Sequence, residues 1–384
     1  MIEPLRARTS AVVVECVDAP DDDTIAEWDA LVATTHGTDV TQLSVWSRVR
    51  GTQRFRPLYV LARHQGVLVG GALVLTRRLR GIGCVGYVSY GPVTALESEA
   101  RAEVIGALSR ALADLRRMRM LFVQPPEGAD DVSRALVARG FRPSAAGIAP
   151  AGSMRIDLAV DEAELRRMLS RRLRYWTGRW ADRGVTVRQG DERDVPLLAE
   201  LMYRAATARG YARPPHLGYL TTLFAELTRT DHAALFIGEV NGVPVSADLV
   251  TMCGDTVRGK LCGFDRDGDG RRLSVPAAAR WEIIRWARRS GFRWIDFGGL
   301  AEATLRDAIG GGVRDDESWP SADRAKMAFG GAAFRYPPPV ELIRPAPLRL
   351  AYDAARRSPL GRSLLTRARI ALRSNGSTRS EARP

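Results

Sequence analysis

The alternation of apolar and polar residues predicts two similar β-hairpins. Residues 59–74 and 235–250 each contain two apolar runs, joined by Gln65-Gly66 in the first stretch and by Asn241-Gly242 in the second. Two-residue connections of this composition allow the positive φ angles that a tight hairpin requires. At an offset of 176 residues, five positions are identical between the two stretches. The chain therefore contains an internal repeat.

Each predicted hairpin is followed by a helical pattern and a further apolar run. Helical spacing over residues 105–117 leads into an apolar run at 120–123, and the same spacing over 278–289 leads into a run at 292–297. Each copy thus reads helix, hairpin, further strand, helix and strand. This order is typical of an α/β (α+β) fold with a mixed, mostly antiparallel sheet flanked by helices. We therefore predict two such domains in tandem.

A stretch rich in Gly, Ala and Pro separates the two copies near residue 150. Such residues commonly mark a boundary between folded segments. We predict a first domain over residues 1–152, completed by 333–345, and a second domain over 153–332. Residues 346–384 are expected to form a basic C-terminal helix and a disordered tail.

Two further helices are predicted, one at the start of the second copy and one near the C-terminus. The first covers residues 161–183, because Asp161 and Glu164 have capping-box spacing and Gly184 suits a helix end. The second is an amphipathic basic helix over residues 348–372.

Composition excludes several classes of protein. The 384 residues are 45% hydrophobic and 26% charged, as in globular proteins. No apolar run is long enough for a membrane span, and no export signal is recognised, so a cytoplasmic location is expected. The four cysteines include no CxxC pair, and the four histidines lack metal-ligand spacing. We therefore predict neither a disulfide framework nor a metal site.

The chain carries a large positive charge. Lys and Arg number 57 against 44 Asp and Glu, a net charge of +13. Residues 344–384 supply eight of these charges, with ten arginines against two carboxylates. The surplus suits a polyanionic partner such as nucleic acid, a phosphate-rich substrate or an anionic membrane face. An Arg-rich composition without such a partner is the alternative.

Six short motifs follow one another along residues 41–342. They are TQLSVWSRV at 41–49, YVSYGPV at 87–93, a basic segment ending in GVTV at 171–187, RP at 213–214, WIDFGG at 294–299 and KMAFG at 326–330. In this order they resemble the Fem family of peptidoglycan-bridge aminoacyltransferases. That resemblance implies two tandem GNAT-like (acetyltransferase-like) domains. It also implies transfer of an amino acid from aminoacyl-tRNA to an amine of a peptidoglycan precursor, with no cofactor beyond aminoacyl-tRNA as co-substrate.

The resemblance also assigns candidate catalytic residues. Lys326 matches the family lysine that binds the tRNA end or the developing oxyanion, and Gln124 stands where an aspartate can lie near the reacting amine. Lys326 is one of only two lysines in the chain, the other being Lys260. The family often places an aromatic residue before this lysine, whereas this chain has Ala325. Glutamine cannot act as a base, so Gln124 could only orient the amine by hydrogen bonding.

The resemblance also implies that four further residues bind the acceptor. Arg48 and Arg213 match the basic positions that hold the diphosphate of a UDP- or lipid-linked muropeptide, for which a guanidinium is suited. Tyr219 and Cys262 stand near positions where the family has tyrosines. The changed residues indicate an altered acceptor, which leaves a related peptide-like metabolite open.

The chemistry implied needs no protein nucleophile. An amine attacks an ester that is already reactive, so the protein has to position the reactants and stabilise the oxyanion. The basic segment suits the tRNA, because arginines interleaved with aromatic residues are common on nucleic-acid surfaces. Its candidate residues are Arg171, Arg174, Trp176 and Arg179. A solvated helix with an apolar core face is the alternative.

Two other functions stay open. One is an acyl-CoA-dependent N-acyltransferase of the same fold, although residues 265–270 lack one glycine of the pyrophosphate loop and carry three carboxylates. The other is a non-catalytic module that binds nucleic acid or anionic lipid. Peripheral contact of the basic C-terminal helix with the inner membrane face is a further expectation.

Overall fold

The chain forms two compact units, described from a computed structural model. The structure describes residues 12–95, 101–207, 214–310 and 318–373, with side chains to residue 367. The first unit comprises residues 1–44, 55–148 and 337–349, and the second comprises 45–54, 149–336 and 350–384.

The first half of the chain supplies seven strands and four helices within the described residues. They are β1 (Val12–Val17), α1 (Asp22–Thr34), α2 (Ser44–Gly51), β2 (Arg56–His64), β3 (Val67–Leu79), β4 (Gly83–Ser89), β5 (Val93–Thr94), α3 (Arg101–Ala113), β6 (Met118–Gln124), α4 (Asp130–Val137) and β7 (Arg142–Pro143). A single 3-10 turn, Val40–Gln42, precedes α2.

The second half continues with eight strands and ten helices among the described residues. They are β8 (Gly152–Asp157), α5 (Glu162–Met168), α6 (Arg171–Thr177), β9 (Val185–Gly190), α7 (Val195–Thr207), α8 (Leu217–Thr228), β10 (Ala233–Val240), β11 (Val243–Cys253), β12 (Thr256–Phe264), α9 (Asp269–Arg272), α10 (Val275–Arg289), β13 (Trp294–Asp296), α11 (Glu302–Gly310), α12 (Ser321–Met327), β14 (Ala332–Arg335), β15 (Val340–Ile343), α13 (Ala346–Arg357) and α14 (Pro359–Arg373). Short 3-10 turns lie at Ala181–Arg183 and Glu192–Asp194.

The two sheets repeat one order of pairing. The first sheet runs β1-β2-β3-β4-β6-β15-β7, with β5 beside β3, and the second runs β9-β10-β11-β12-β13-β8-β14. In each sheet one central pair is parallel, β4 with β6 and β12 with β13, and the other pairs are antiparallel. The predicted tandem of mixed, mostly antiparallel sheets flanked by helices is thus confirmed.

The repeated hairpins have the turn geometry that their sequences favour. The φ angles are 53° at Gln65 and 84° at Gly66, and 48° at Asn241 and 78° at Gly242. Both central residues of each turn are therefore left-handed, which matches the twist of the flanking strands. Almost every residue of β11 is buried, so the second sheet has its core on both faces.

The single helix predicted over residues 161–183 is wrong. Asp161 does cap α5, accepting a hydrogen bond from the Glu164 amide at 2.7 Å. The chain then leaves the helical region at Leu169, and Ser170 caps the separate helix α6 by accepting from the Leu173 amide. A capping serine competes locally with continuation of the helix, and this break was not anticipated.

The boundaries of the units differ from the predicted ones in two places. Strand β14 pairs with β8 of the second sheet, so residues 333–335 belong to the second unit rather than the first. The return to the first unit begins at Pro337, and β15 then pairs with β6. Residues 45–54, predicted in the first domain, belong to the second unit.

The C-terminal helix predicted over residues 348–372 is interrupted. Pro359 lacks a backbone N–H and restricts the residue before it, so α13 ends at Arg357 and α14 starts at Pro359. The predicted tail, residues 374–384, lies outside the described residues.

The TQ motif is part of the first core. Gln42 is fully buried; its Oε1 accepts from the Leu73 amide at 2.9 Å and its Nε2 donates to the Ser89 carbonyl at 2.8 Å. The indole N–H of Trp28 donates to the Gln42 carbonyl at 2.7 Å. This side chain therefore ties the middle of β3 to the end of β4.

Replacing Gln42 with leucine should destabilise the first unit by about 2 kcal/mol, because the buried Leu73 amide loses this partner, whereas the Ser89 carbonyl keeps a hydrogen bond from the Thr41 hydroxyl at 3.2 Å. The measurement is the urea dependence of unfolding. Gln189→Leu, at an exposed strand position, is the matched control. Equal midpoints for the two variants would contradict this account of the motif.

Candidate active site

The central parallel pair of the second sheet opens after three residues. Strands β12 and β13 pair at Thr256–Trp294, Val257–Ile295 and Arg258–Asp296, and β13 then ends while β12 continues to Phe264. The pairing of β12 with β11 shifts by one residue beside Lys260. The separation of β12 from β13, together with the bulge in β12, leaves backbone groups available for a ligand.

The corresponding pair of the first sheet stays closed. Strands β4 and β6 remain paired to their last residues, Ser89 and Gln124. The Gly91 amide then donates to the Gln124 carbonyl at 3.0 Å. The geometry therefore favours the second unit as the location of an open site.

Lys326, in the last turn of α12, reaches the opening. Its ammonium donates to the carbonyls of Gly298, at 3.3 Å, and Gly299, at 2.5 Å, immediately after β13. An ammonium has three donors, and it forms no other hydrogen bond within the described part of the chain. Desolvation lowers the pKa of the half-buried Lys326, with a smaller effect in the same direction from the charge of Arg280.

The glycines of the WIDFGG and KMAFG motifs permit this arrangement. Gly298 has a φ of 90°, which turns its carbonyl toward the lysine. A Cβ on Gly299 would lie 2.3 Å from Pro150, and one on Gly330 would lie 2.3 Å from the Met168 carbonyl. Side chains at either position would displace the backbone.

Asp296 is buried at the end of β13. Its carboxylate accepts hydrogen bonds from the Ser153 hydroxyl and, at 2.7 Å, from the Gly298 amide. Arg258, its partner across the parallel pair, approaches to 3.6 Å. Burial raises the pKa of Asp296, and Arg258 opposes that shift. These contacts fix the chain where the two strands separate.

A second buried carboxylate lies on β11, opposite Cys262 of β12. Asp248 and Cys262 are register partners, so their side chains point to the same face of the sheet. Arg280 of α10 contacts both, with its Nε 3.8 Å from the Asp248 carboxylate and its Nη2 3.9 Å from the Cys262 sulfur. Burial raises the pKa of Asp248 to about 6, although Arg280 acts in the opposite direction.

Cys262 is exposed to solvent. Desolvation by the surrounding protein, and then the charge of Asp248, nevertheless raise the pKa of its thiol. The thiol is therefore neutral at physiological pH and is a poor nucleophile. Cys262 therefore places a small, neutral side chain on the sheet face that carries Asp248 and that Arg280 contacts.

Gln124 has a structural role in the first unit. Its side chain is buried, and its Nε2 donates to the Pro337 carbonyl at 2.8 Å, which holds the segment that returns to the first sheet. Its Oε1 has no hydrogen-bond partner among the described residues. Any orientation of an amine by Gln124 would use this oxygen.

Two of the predicted acceptor-binding residues lie on helices of the second unit. Arg48 of α2 bonds to Glu226 of α8 at 2.7 Å, so its charge is partly neutralised. Tyr219, also on α8, is buried, and its hydroxyl bonds to Arg50. Arg213 lies outside the described residues. The sequence did not indicate Arg50 as a contact of Tyr219.

The basic segment divides into an apolar and a charged face. Leu173 and Trp180 are buried, and the half-buried Trp176 packs against the second core. The exposed aromatic residue is instead Tyr175, whose ring lies 3.9 Å from the Arg179 guanidinium carbon. We call the arginines of α6 and of the turn that follows it the basic face of α6. They form no ion pair with a carboxylate of the described residues: Arg171, Arg172, Arg174, Arg179 and Arg183.

Within the described ranges, no group of three or more His, Cys, Asp or Glu side chains is arranged to hold a metal ion. Among the helices that the structure describes, none is both long and apolar enough to cross a membrane.

Comparison with known proteins defines the class of fold. A family model of the acetyltransferase (GNAT) domain matches residues 138–306. The chain is thus similar to GNAT proteins over most of its second unit, and the two repeated sheets make it a tandem GNAT-like protein. A search of curated protein sequences found no significant match.

Two solved structures resemble the chain over most of its length. A crystal structure of FemX superimposes with a TM-score of 0.73 at 17% identity, covering 88% of this chain and 99% of that one. The structure of L-PGS from Bacillus licheniformis gives a TM-score of 0.50 at 12% identity, covering 92% and 96%. The resemblance to a Fem-type tandem GNAT-like protein is therefore confirmed at the level of the fold.

Replacing Asp248 with asparagine should change how stability depends on pH. The folded-state pKa of about 6 lies above the ordinary aspartate pKa of 3.8, so the folded state binds the proton more tightly. Raising the pH from 4 to 7 should therefore destabilise the wild type by about 2 kcal/mol relative to Asp248→Asn, with little further change above pH 7.

The measurement is the free energy of unfolding in urea across this pH range. The exposed Asp182→Asn variant is the matched control. A wild-type curve parallel to that of Asp248→Asn at every pH would show that the Asp248 carboxyl has no raised pKa.

Proposed function

We propose that this chain is an aminoacyltransferase that moves an amino acid from aminoacyl-tRNA to an amine of a peptidoglycan precursor. The acceptor is a UDP- or lipid-linked muropeptide, or a related peptide-like molecule. The observation that carries the proposal is the Lys326 ammonium, held on two carbonyls where β12 and β13 separate, with one donor left over. The Fem-type fold and motifs support the same activity.

The reaction needs one substitution at a carbonyl carbon. The uncharged acceptor amine attacks the ester carbon of the aminoacyl group, and negative charge develops on the carbonyl oxygen. The bond to the ribose oxygen then breaks, an amide forms, and the proton lost by the amine leaves with the ribose hydroxyl. No covalent enzyme intermediate is needed, because the ester is already reactive.

Lys326 acts on the charge that develops in this reaction. Its two hydrogen bonds to backbone carbonyls fix the ammonium before substrate arrives, and a fixed donor requires no reorganisation during the reaction. Desolvation strengthens its interaction with an oxyanion, since the dielectric screening there is weak. The same ammonium could instead hold the tRNA end, and either role requires its positive charge.

The basic face of α6 is proposed to hold the tRNA. Its arginines have no carboxylate partner among the described residues, so phosphates need not displace an internal ion pair. The pairing of Tyr175 with Arg179 offers a surface for an unstacked base. Because Trp176 packs into the core, its proposed contact with tRNA is limited to the edge that remains exposed.

The acceptor is proposed to contact Arg48, Arg213, Tyr219 and Cys262; orientation of the amine by Gln124 stays a separate prediction from the family resemblance. Arg48 would exchange its ion pair with Glu226 for one with a phosphate, so its guanidinium would stay paired with an anion. The exposed Cys262 leaves room where a tyrosine would fill space. This difference supports an acceptor bulkier at that point than the one the family binds.

Use of aminoacyl-tRNA places the proposed activity in the cytoplasm and requires no other cofactor. An acyl-CoA-dependent N-acyltransferase is the second candidate, favoured by the match of residues 138–306 to the GNAT domain. The carboxylates of Asp265, Asp267 and Asp269 precede α10, where they would repel a pyrophosphate.

Replacing Lys326 with methionine should lower kcat/KM for aminoacyl transfer by about 100-fold or more, as expected for loss of an oxyanion donor. Transfer is measured from a mixture of radiolabelled charged tRNAs to a cell-wall precursor extract. Arg324→Met, an exposed residue of the same helix, should retain wild-type activity.

Because desolvation lowers the pKa of Lys326, activity should fall at alkaline pH as the ammonium loses its proton. Lys326→Arg, which stays charged, should move that fall to higher pH. Wild-type turnover by Lys326→Met would remove this residue from the mechanism. Stabilisation by acetyl-CoA and not by charged tRNA in a thermal-shift assay would favour the second candidate.

The triple variant Arg171→Ala, Arg174→Ala, Arg179→Ala should bind tRNA at least about tenfold more weakly at low salt. The slope of log affinity against log salt should fall by about two to three, since each lost phosphate contact removes nearly one unit. Filter binding over a salt series measures both values.

A matched control removes three arginines that have carboxylate partners. These are Arg193, Arg204 and Arg289, which pair with Asp191, Glu200 and Glu282. Both variants lose the same net charge, so equal effects on affinity would mean that overall charge, rather than the basic face of α6, binds the tRNA. Binding without any transfer would favour a non-catalytic module.

A further inference from the structure

The C-terminal helices expose large apolar side chains. Leu350 of α13 is 64% exposed, and Leu360 and Leu364 of α14 are 79% and 62% exposed. Leu360 and Leu364 are four residues apart, so they lie on one face of α14. Helix α13 contains no buried residue. These leucines therefore do not contribute to a core in the described part of the chain.

The two helices are joined without a flexible linker. Only Ser358 separates them, and its carbonyl accepts a hydrogen bond from the Arg362 amide at 2.9 Å. Gly361 is buried against α13, where a Cβ would lie 2.2 Å from the Ala355 carbonyl oxygen. Close backbone contact of this kind holds the start of α14 on the end of α13. We call the two helices together the C-terminal helix pair.

The segment that carries the exposed leucines is rich in arginine. Residues 344–367 contain six arginines and one carboxylate, that of Asp353. None of these arginines forms an ion pair with a carboxylate among the residues that the structure describes; they are Arg344, Arg349, Arg356, Arg357, Arg362 and Arg367. Helices that combine a cationic face with exposed leucines are typical of proteins that lie in the interface of a bilayer.

We propose that the C-terminal helix pair binds the surface of an anionic lipid bilayer. The leucines enter the boundary between headgroups and acyl chains, and the arginines contact the anionic headgroups. The binding itself is independent of the transfer reaction. Its consequence, preferential use of a lipid-linked acceptor over a soluble one, rests on the proposed function.

A membrane accounts for the leucines better than tRNA does. Nucleic-acid surfaces gain affinity from cations and from aromatic rings that stack on bases. Aliphatic side chains gain little against phosphate, whereas transfer from water into the acyl boundary is favourable. The basic face of α6 has the opposite composition, with an exposed tyrosine beside its arginines.

The test is flotation of the full-length protein with vesicles of phosphatidylcholine alone or with added phosphatidylglycerol. We expect binding to the phosphatidylglycerol vesicles, weakening as salt is added, and little binding to phosphatidylcholine. The double variant Leu360→Glu, Leu364→Glu should lower the partition coefficient by about tenfold or more. The double variant Arg357→Gln, Arg362→Gln should also lower the partition coefficient, and its remaining binding should depend less on salt than that of the wild type.

Val67→Glu, Val243→Glu is the matched control. These valines, 64% and 61% exposed, directly follow the two hairpin turns, so the control adds the same charge at sites of similar exposure. It should bind vesicles like the wild type. Absence of wild-type binding, or equal loss in the control and in the leucine variant, would overturn the proposal.

A second readout separates this proposal from the proposed function. The leucine variant should keep wild-type tRNA binding and transfer to a soluble acceptor, while losing transfer to a vesicle-bound one. If it loses tRNA binding and retains vesicle binding, the helix pair binds nucleic acid and the membrane proposal is wrong. Vesicle binding without any transfer activity would uphold the membrane contact and reject the aminoacyltransferase.

Discussion

The early end of β13 is the constraint on which the candidate active site depends. Three residues of parallel pairing bring Arg258 beside Asp296, and the next backbone groups then lose the partners that a longer strand would give them. The carbonyls of Gly298 and Gly299 are satisfied instead by the Lys326 ammonium. Buried backbone acceptors need such a partner, so one side chain both completes the fold and brings a positive charge to the opening.

Buried carboxylates give the second unit its internal charge pattern. Asp296 is held by a hydroxyl, an amide and Arg258, whereas Asp248 has, among the described residues, only a distant contact with Arg280. A buried acid with few partners prefers its neutral form. The raised pKa of Asp248 is therefore a property of packing, and it sets the electrostatics beside Cys262. Arg280 is the common neighbour of Asp248, Cys262 and the Phe297 ring, which lies 5.6 Å from its guanidinium carbon.

The two sheets share one pairing order, but their parallel pairs end differently. In the first unit, Gln124 closes the end through its carbonyl and its side-chain amide. In the second unit, the equivalent place is open and carries the lysine. Duplication therefore preserved the strand order, while the residues at the strand ends decide whether a unit can present a site. The exposed leucines of the C-terminal helix pair lie outside this duplicated framework.

Local chemistry in the sequence was sufficient for the tandem fold, and the family resemblance singled out Lys326 as a candidate. The Gln65-Gly66 and Asn241-Gly242 turns, and the order of hairpin, helix and strand, act between neighbours in the chain, so they could be interpreted without a structure. The break at Ser170, the assignment of β14 to the second sheet and the cluster of Asp248 with Arg280 could not. They depend on which distant segments pack together and on how completely water is excluded there, and only the tertiary structure fixes these. For the same reason the sequence selects Trp176 as a tRNA contact although it packs against the core, whereas the neighbouring Tyr175 carries the exposed ring.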